Sequence, residues 1–357
     1  MAIFYPFSDQ LPVWQVLGAT LLILVISAAV IAAAKRLPSL FVGWLWFAIT
    51  ILPVIGIFQI SLAAPYAMAD RYYYLPSIGI AVILAWGIPF LIKREDTRKK
   101  ILSPVSIAAL SIMAVLTWQQ CGYWKNSITI FTHTLQVTKN NFFAHNQRGA
   151  DYDKLGQYQL AIEDYNEAIP LKPDLAETYN RRGNVYDKLG QYQSAIEDYN
   201  EAIRLKPDLV GAYNNRGNLY DKLGQYQLAI EDYNEAIRLK PDLVGAYNNR
   251  GNVYDKLGHY QLAIKDYNEA IRLKPDLALG YNNRGNVYNK LGQYQFAIED
   301  YNEAIRLKPD LALAYNNRGL AYLAQGNKKL GCFNAQMSCA MGVCKTLELA
   351  KSNGYCL

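Results

Sequence analysis

The chain has 357 residues, a net charge of +6 and 18% charged residues. That length allows two or three domains, and that charge is too mild to point to nucleic acid. Hydropathy is split: residues 11 to 118 are mostly apolar, whereas 140 to 330 are polar and rich in Tyr, Asn, Asp and Lys.

Four apolar stretches come first: Leu11 to Ala34, Leu40 to about Ala63, Leu75 to Ile92 and Ile101 to Trp118. Membrane spans need about 20 apolar residues, so a transmembrane region of four helices is expected over 1–118. Lys35 and Arg36 separate the first pair, and Lys93, Arg94, Arg98, Lys99 and Lys100 the last pair. Basic linkers stay in the cytoplasm. The expected protein is therefore a multi-pass inner or plasma membrane protein whose repeats are extracytoplasmic. The first ten residues lack the basic start of a signal peptide, and the stretch after them is too long for its core. An outside amino terminus is awkward to insert, which points to the end of a longer polytopic protein. Tyr72, Tyr73 and Tyr74 fall at the expected outer interface beside Asp70 and Arg71. Two readings stand: an interfacial anchor, or Arg71 meeting a lipid phosphate with Asp70 positioning it.

Residues 119–141 read as a connecting half repeat, because Trp124, Ser127, Phe131 and Thr134 fit the second-helix register of the repeats beyond them. Then one sentence recurs at a period of 34: Gly149, Gly183, Gly217, Gly251, Gly285 and Gly319 mark its copies. Five full copies occupy 142–175, 176–209, 210–243, 244–277 and 278–311, and a degenerate sixth runs to about 330. Such a period means stacked supersecondary units, an all-α solenoid. In the third copy Tyr220 and Gly224 mark a first helix and its turn, and Ala229, Ile230, Tyr233, Ala236 and Ile237 a second helix.

An Arg precedes each marker glycine, and a second-helix Asp recurs at one fixed place. Arg182, Arg216, Arg250 and Arg284 would pair with Asp198, Asp232, Asp266 and Asp300 as a structural ladder, since a buried Arg needs a partner. The alternative is an Arg snorkelling to solvent.

The last residues, 331–357, form a Cys-rich cap. Cys332, Cys339, Cys344 and Cys356 read as two disulfides with three possible pairings. Zinc is the rival, against spacings of seven, five and twelve that match no common site; free thiols remain a further reading. No phosphate loop, HExxH or nucleophile elbow is present, so no metal, cofactor or catalytic residue is assigned. His133, His145 and His259 are scattered.

The Gly, Tyr, Gly, Tyr, Ala, Tyr, Ala and Pro of each copy resemble the tetratricopeptide repeat (TPR) consensus. The resemblance implies a right-handed superhelix of helix–turn–helix units whose first helices line a concave groove. Carried onto this chain, that groove shows Asn180, Asn184, Asn214, Asn215, Asn218, Asn248, Asn249, Asn252, Asn282, Asn283, Asn286, Lys222 and Lys256. Asn both donates and accepts, so a row of them suits an extended peptide or protein segment; the plainer reading is a solvated polar face. Gly-Trp-Leu-Trp at 43–46 and Ala-Asp-Arg-Tyr-x-Tyr-Leu-Pro-Ser-Ile-Gly at 69–79 are similar to the C-terminal half of transmembrane-and-TPR O-mannosyltransferase-like proteins. Those are GT-C-type enzymes that use a polyprenyl-phosphate sugar. A glycosyltransferase needs a carboxylate base, and Asp9 is the only acid before Asp70. The leading expectation is therefore a membrane-anchored TPR protein that binds protein or peptide and contacts membrane lipid. The alternative is the terminal part of an O-glycosyltransferase whose groove holds the acceptor, with no activity of its own.

Overall fold

The computed structural model describes residues 13–35, 38–51 and 125–356, with isolated helical positions between 96 and 118. The chain divides into two units, Met1–Asp174 and Leu175–Leu357. All regular structure described is helical.

In the first unit, α1 (Val13–Ala33) packs on α2 (Pro38–Ile51), where Trp44 Nε1 donates to Ser27 Oγ at 3.1 Å. Among the described residues no helix is long and apolar enough to cross a membrane. The four-helix transmembrane segment is therefore corrected, and with it the multi-pass membrane placement. Apolar composition along a sequence does not fix how long an unbroken helix carries it. The stretch Leu75 to Ile92, together with Asp70, Arg71, Cys121 and Trp124, lies outside the described residues; 101 to 118 is described only at isolated positions.

The same unit continues with α3 (Ser127–Val137), α4 (Phe142–Lys154) and α5 (Tyr158–Leu171). Helix α3 starts at a capping box: Asn126 accepts from the Thr129 N–H, and Thr129 Oγ1 accepts from the Asn126 N–H. Asn141 caps α4 through the Ala144 N–H.

The second unit is an α-solenoid of helix pairs. They are α6 (Ala176–Lys188) with α7 (Tyr192–Leu205), α8 (Val210–Lys222) with α9 (Tyr226–Leu239), α10 (Val244–Lys256) with α11 (Tyr260–Leu273), and α12 (Ala278–Lys290) with α13 (Tyr294–Leu307). Then come α14 (Ala312–Ala324), α15 (Lys328–Ala340) and α16 (Lys345–Ser352). Each first helix ends on a left-handed glycine. At Gly224 (φ 74°) the Gln225 N–H reaches back to the Tyr220 carbonyl at 2.8 Å, closing the helix end.

The seam within a pair is a tyrosine ring laid on a glycine. Tyr199, Tyr233, Tyr267 and Tyr301 are at most 1% exposed. A Cβ on Gly183, Gly251 or Gly285 would stand 2.8 Å from the partner ring. Ala229, Ala236, Ala246 and Val253 complete one such core, and its equivalents repeat along the unit.

The second-helix pattern fades in the sixth copy, yet α15 is helical. Ala335 is fully buried at the place of the tyrosine, and Leu320 stands at the place of the asparagine that the tyrosine meets elsewhere. The tail holds two disulfides, Cys332–Cys356 and Cys339–Cys344, so of the three open pairings this one is formed. Closing the 24-residue separation of the first contributes about 3 kcal/mol in the chain-entropy account.

Gly251→Ala is expected to destabilise the array by about 1–3 kcal/mol, because a buried ring cannot yield and overpacking outweighs the gain in helix propensity. Urea unfolding followed by circular dichroism measures this; an unchanged midpoint would contradict the ring-on-glycine seam.

Candidate functional site: a polar lattice on the first helices

In the second, third and fourth copies the recurring Arg (Arg182, Arg216 and Arg250) sits between the two tyrosines of its own helix. The Arg250 guanidinium lies 5.6 Å from the Tyr247 ring centroid and 5.9 Å from that of Tyr254. From there it forks onto the second-helix Asp of its own copy. The Nε and Nη2 donors of Arg182, Arg216, Arg250 and Arg284 bond both oxygens of Asp198, Asp232, Asp266 and Asp300 at 2.6–2.9 Å. The third nitrogen of Arg216, Arg250, Arg284 and Arg318 donates to Asn200, Asn234, Asn268 and Asn302 of the preceding second helix. One guanidinium thus ties three helices and sets one copy against the next.

Burial pushes the Asp198, Asp232 and Asp300 carboxyls up, and the opposing guanidinium pulls them back without winning. Burial acts the same way on Asp164, but there hydrogen bonds from both Arg148 and His145 win and hold it below the ordinary carboxylate value. In the sixth copy Asn334 replaces the Asp, and its Oδ1 still accepts from Arg318 Nε at 2.8 Å.

The expected groove residues form three columns on the first helices. In the first, the hydroxyls of Tyr199, Tyr233, Tyr267 and Tyr301 each donate at 2.8 Å to Oδ1 of Asn184, Asn218, Asn252 and Asn286. In the second, side-chain amides link neighbouring copies. Asn215 donates to Asn180, Asn283 to Asn248 and Asn317 to Asn282, at 3.1–3.2 Å. At α16 the series closes with Thr346 Oγ1 donating to Asn316 Oδ1 at 2.7 Å. Asn249 departs: it donates to Asn218 instead, and Asn214 Oδ1 is left buried without a partner. In the third, Lys222, Lys256 and Lys290 pair with Asp187, Asp221 and Asp255 of the copy before, at 2.7–3.0 Å. This column stops where both partners change together, Asp to Asn289 and Lys to Ala324.

The carboxamide of Asn184, Asn218, Asn252 and Asn286 is thus fixed at its oxygen by a buried tyrosine. Its nitrogen has no acceptor among the described residues. Those nitrogens reach solvent, since the buried unpaired side-chain atoms among the described residues are Asn214 Oδ1 and Asn289 Oδ1. The result is a row of four pre-oriented donors, one in each of the second to fifth copies. Sequence reading placed these asparagines but not the tyrosines that hold them; the signal was there, an Asn–Tyr spacing of 15 in four copies and the loss of both residues in the sixth. Among the described residues no cluster of His, Cys, Asp or Glu could hold a metal ion.

A polar lattice carried by stacked helix pairs defines a helical-repeat scaffold. The TPR repeat family model matches residues 149–190, 183–224, 217–258 and 285–326, and the Tetratricopeptide repeat model matches 244–277. The repeats of this chain are tetratricopeptide repeats. Curated relatives match over the repeat part at low identity. The protein O-mannosyl-transferase Tmtc3 of Drosophila melanogaster is 25% identical over 143 residues, 40% of this chain and 15% of that protein. The protein O-mannosyl-transferase TMTC4 of Homo sapiens is 26% identical over 131 residues, 37% of this chain and 17% of that protein. The match spans less than a fifth of either relative's length. Among solved structures, the Cut9–Hcn1 assembly of APC/C aligns with a TM-score of 0.55 at 21% identity, covering 65% of this chain and 46% of that one. A tetratricopeptide repeat protein from Parabacteroides merdae aligns at 0.50 and 22%, covering 67% and 96%. At these identities the likeness is one of fold.

Two substitutions separate the buried ladder from the exposed pairs. Arg284→Ala leaves Asp300 buried beside nothing that neutralises it, and is expected to cost about 3 kcal/mol; Arg306→Ala, which breaks an exposed pair with Glu303, is expected to leave the midpoint nearly unchanged. Equal losses in urea unfolding would contradict the staple. Burial also pushes the hydroxyls of Tyr199, Tyr233, Tyr267 and Tyr301 up. Unfolded tyrosine titrates near about 10, so the stability held by the neutral rings is complete below that pH and is lost as pH rises above it. Tyrosinate absorbance from these rings is expected only together with loss of helical dichroism; ionisation of all tyrosines in a still-helical protein would contradict their burial.

Proposed function

We propose that the repeats hold an extended segment of a protein partner along the first-helix face, with Asn184, Asn218, Asn252 and Asn286 donating to its backbone carbonyls. The observation that carries this reading is the row of four amides fixed at oxygen and free at nitrogen. An extended chain presents carbonyls at regular intervals, and donors fixed in advance bind it at little entropic cost. Recognition of this kind reads shape and backbone rather than side chains. The Lys222–Asp187, Lys256–Asp221 and Lys290–Asp255 pairs neutralise their own charges, which leaves the face suited to an uncharged backbone rather than to a terminal carboxylate.

A second reading concerns what is held. The curated relatives are named protein O-mannosyl-transferases, and the part they share with this chain is the repeats. On this reading the bound segment is an acceptor of glycosyl transfer, and the repeats present it while the transfer chemistry lies in parts of those relatives that this chain does not match.

The test replaces Asn218, Asn252 and Asn286 together by Asp. Asp keeps the acceptor for each tyrosine hydroxyl and removes the donor. Each lost hydrogen bond is worth about 0.5–1.5 kcal/mol, so affinity for unstructured peptides, read by fluorescence anisotropy across a peptide panel, is expected to fall tenfold or more with helicity intact. Unchanged affinity would overturn the donor row.

A further inference from the structure

The copies are so alike that their departures stand out. The fourth carries two: His259 stands where the other full copies have Gln157, Gln191, Gln225 and Gln293, and Lys265, which reverses a charge, where they have Glu163, Glu197, Glu231 and Glu299. In the second, third and fifth copies the glutamine at the second position of the second helix closes onto that Glu. Gln193 donates to Glu197, Gln227 to Glu231 and Gln295 to Glu299, at 3.0–3.3 Å. In the fourth copy Gln261 faces Lys265 and no such bond forms.

An open cleft of about 690 Å³ lies at this place, lined by residues of α9, α10 and α11, with Gln261 and Lys265 exposed at its edge. It is on the second-helix side, apart from the donor row. Ile237, Ile264 and Tyr247 give it apolar walls, and Gln261 and Lys265 stand around it. Arg250 and Arg272 also line it, but each already holds a carboxylate: Asp266 for Arg250 and Glu269 for Arg272. Among the described lining residues, Lys265 is the cation with no carboxylate of its own. Three cations against two acids give the cleft a net single positive charge; with Glu at that place, as in the third copy, the same set is net negative by one.

We propose that this cleft takes the side-chain carboxylate of an acidic segment of a protein partner, with Lys265 as its counter-ion. One unpaired cation balances one carboxylate and not a dianionic phosphate, and the apolar walls suit the aliphatic stem of a glutamate. Gln261 supplies a neutral donor one helical turn from Lys265, so the carboxylate meets both a charge and an amide. The other full copies, with Glu in place, repel such a segment, which fixes where along the array it docks.

The test uses the full chain and two fluorescein-labelled peptides of alternating residues, one Glu–Ala and one Gln–Ala. The Glu–Ala peptide is expected to bind at least tenfold more tightly at low salt, and to weaken as salt rises. Lys265→Glu installs the residue that the other full copies carry, so the fold is kept. It is expected to remove the preference for Glu–Ala, while Lys265→Arg retains it. Equal binding of the two peptides, or a preference that survives Lys265→Glu, would overturn the proposal. So would saturable binding of inorganic phosphate that depends on Lys265 while the Glu–Ala peptide fails to bind. The Asp triple variant on the first-helix face is expected to leave this preference intact, so failure of one site is distinguishable from failure of the other.

Discussion

The arginine ahead of each marker glycine governs the geometry of everything above it. Its two tyrosine neighbours hold the guanidinium on the helix, its fork meets the second-helix Asp, and its third nitrogen crosses to the Asn of the preceding copy. A solenoid has only nearest-neighbour contacts, so the angle between copies is set wherever such a cross-tie exists. The tie is made at Arg216, Arg250, Arg284 and Arg318, and the periodic features of the second unit inherit its regularity. The asparagine column, the lysine–aspartate column and the tyrosine hydroxyls line up because the copies beneath them do.

The same economy shapes the polar face. A buried tyrosine hydroxyl needs a partner, and the first-helix Asn supplies it. Satisfying the hydroxyl leaves half of the carboxamide unused and pointing to water. Packing and recognition are thereby coupled: the group that completes the core also fixes the donor. Where the tyrosine is replaced by Ala335 the asparagine is replaced by Leu320, and the row ends. At the same end Thr346 of α16 closes the inter-copy amide series, and two disulfides hold the tail that carries it.

Much of this was legible in the sequence, and the limits have physical causes. The period, the helix pairs and the turn glycines come from spacing alone, because Gly224 and its equivalents occupy a backbone conformation that other residues rarely adopt. The grouping of Arg with Asp comes from the cost of an unpaired buried charge. What spacing could not show is how the amides divide their bonds between tyrosine, neighbour and solvent, nor that Asn249 turns to Asn218 and strands Asn214. Those depend on distances of a few tenths of an ångström. The membrane expectation is overturned because, among the described residues, no helix is long and apolar enough to cross a membrane. The cleft at Lys265 was invisible too, since one charge reversal in a repeat carries no meaning until its neighbours are placed.

The most direct measurement is side-chain amide NMR of the full chain, with the Nδ2 groups of Asn184, Asn218, Asn252 and Asn286 assigned and followed as a binding peptide is titrated in. The account predicts that these four signals shift together and exchange more slowly with solvent, while the amides of Asn200, Asn234 and Asn302 stay where they are. Saturated binding with the four signals unmoved would contradict it.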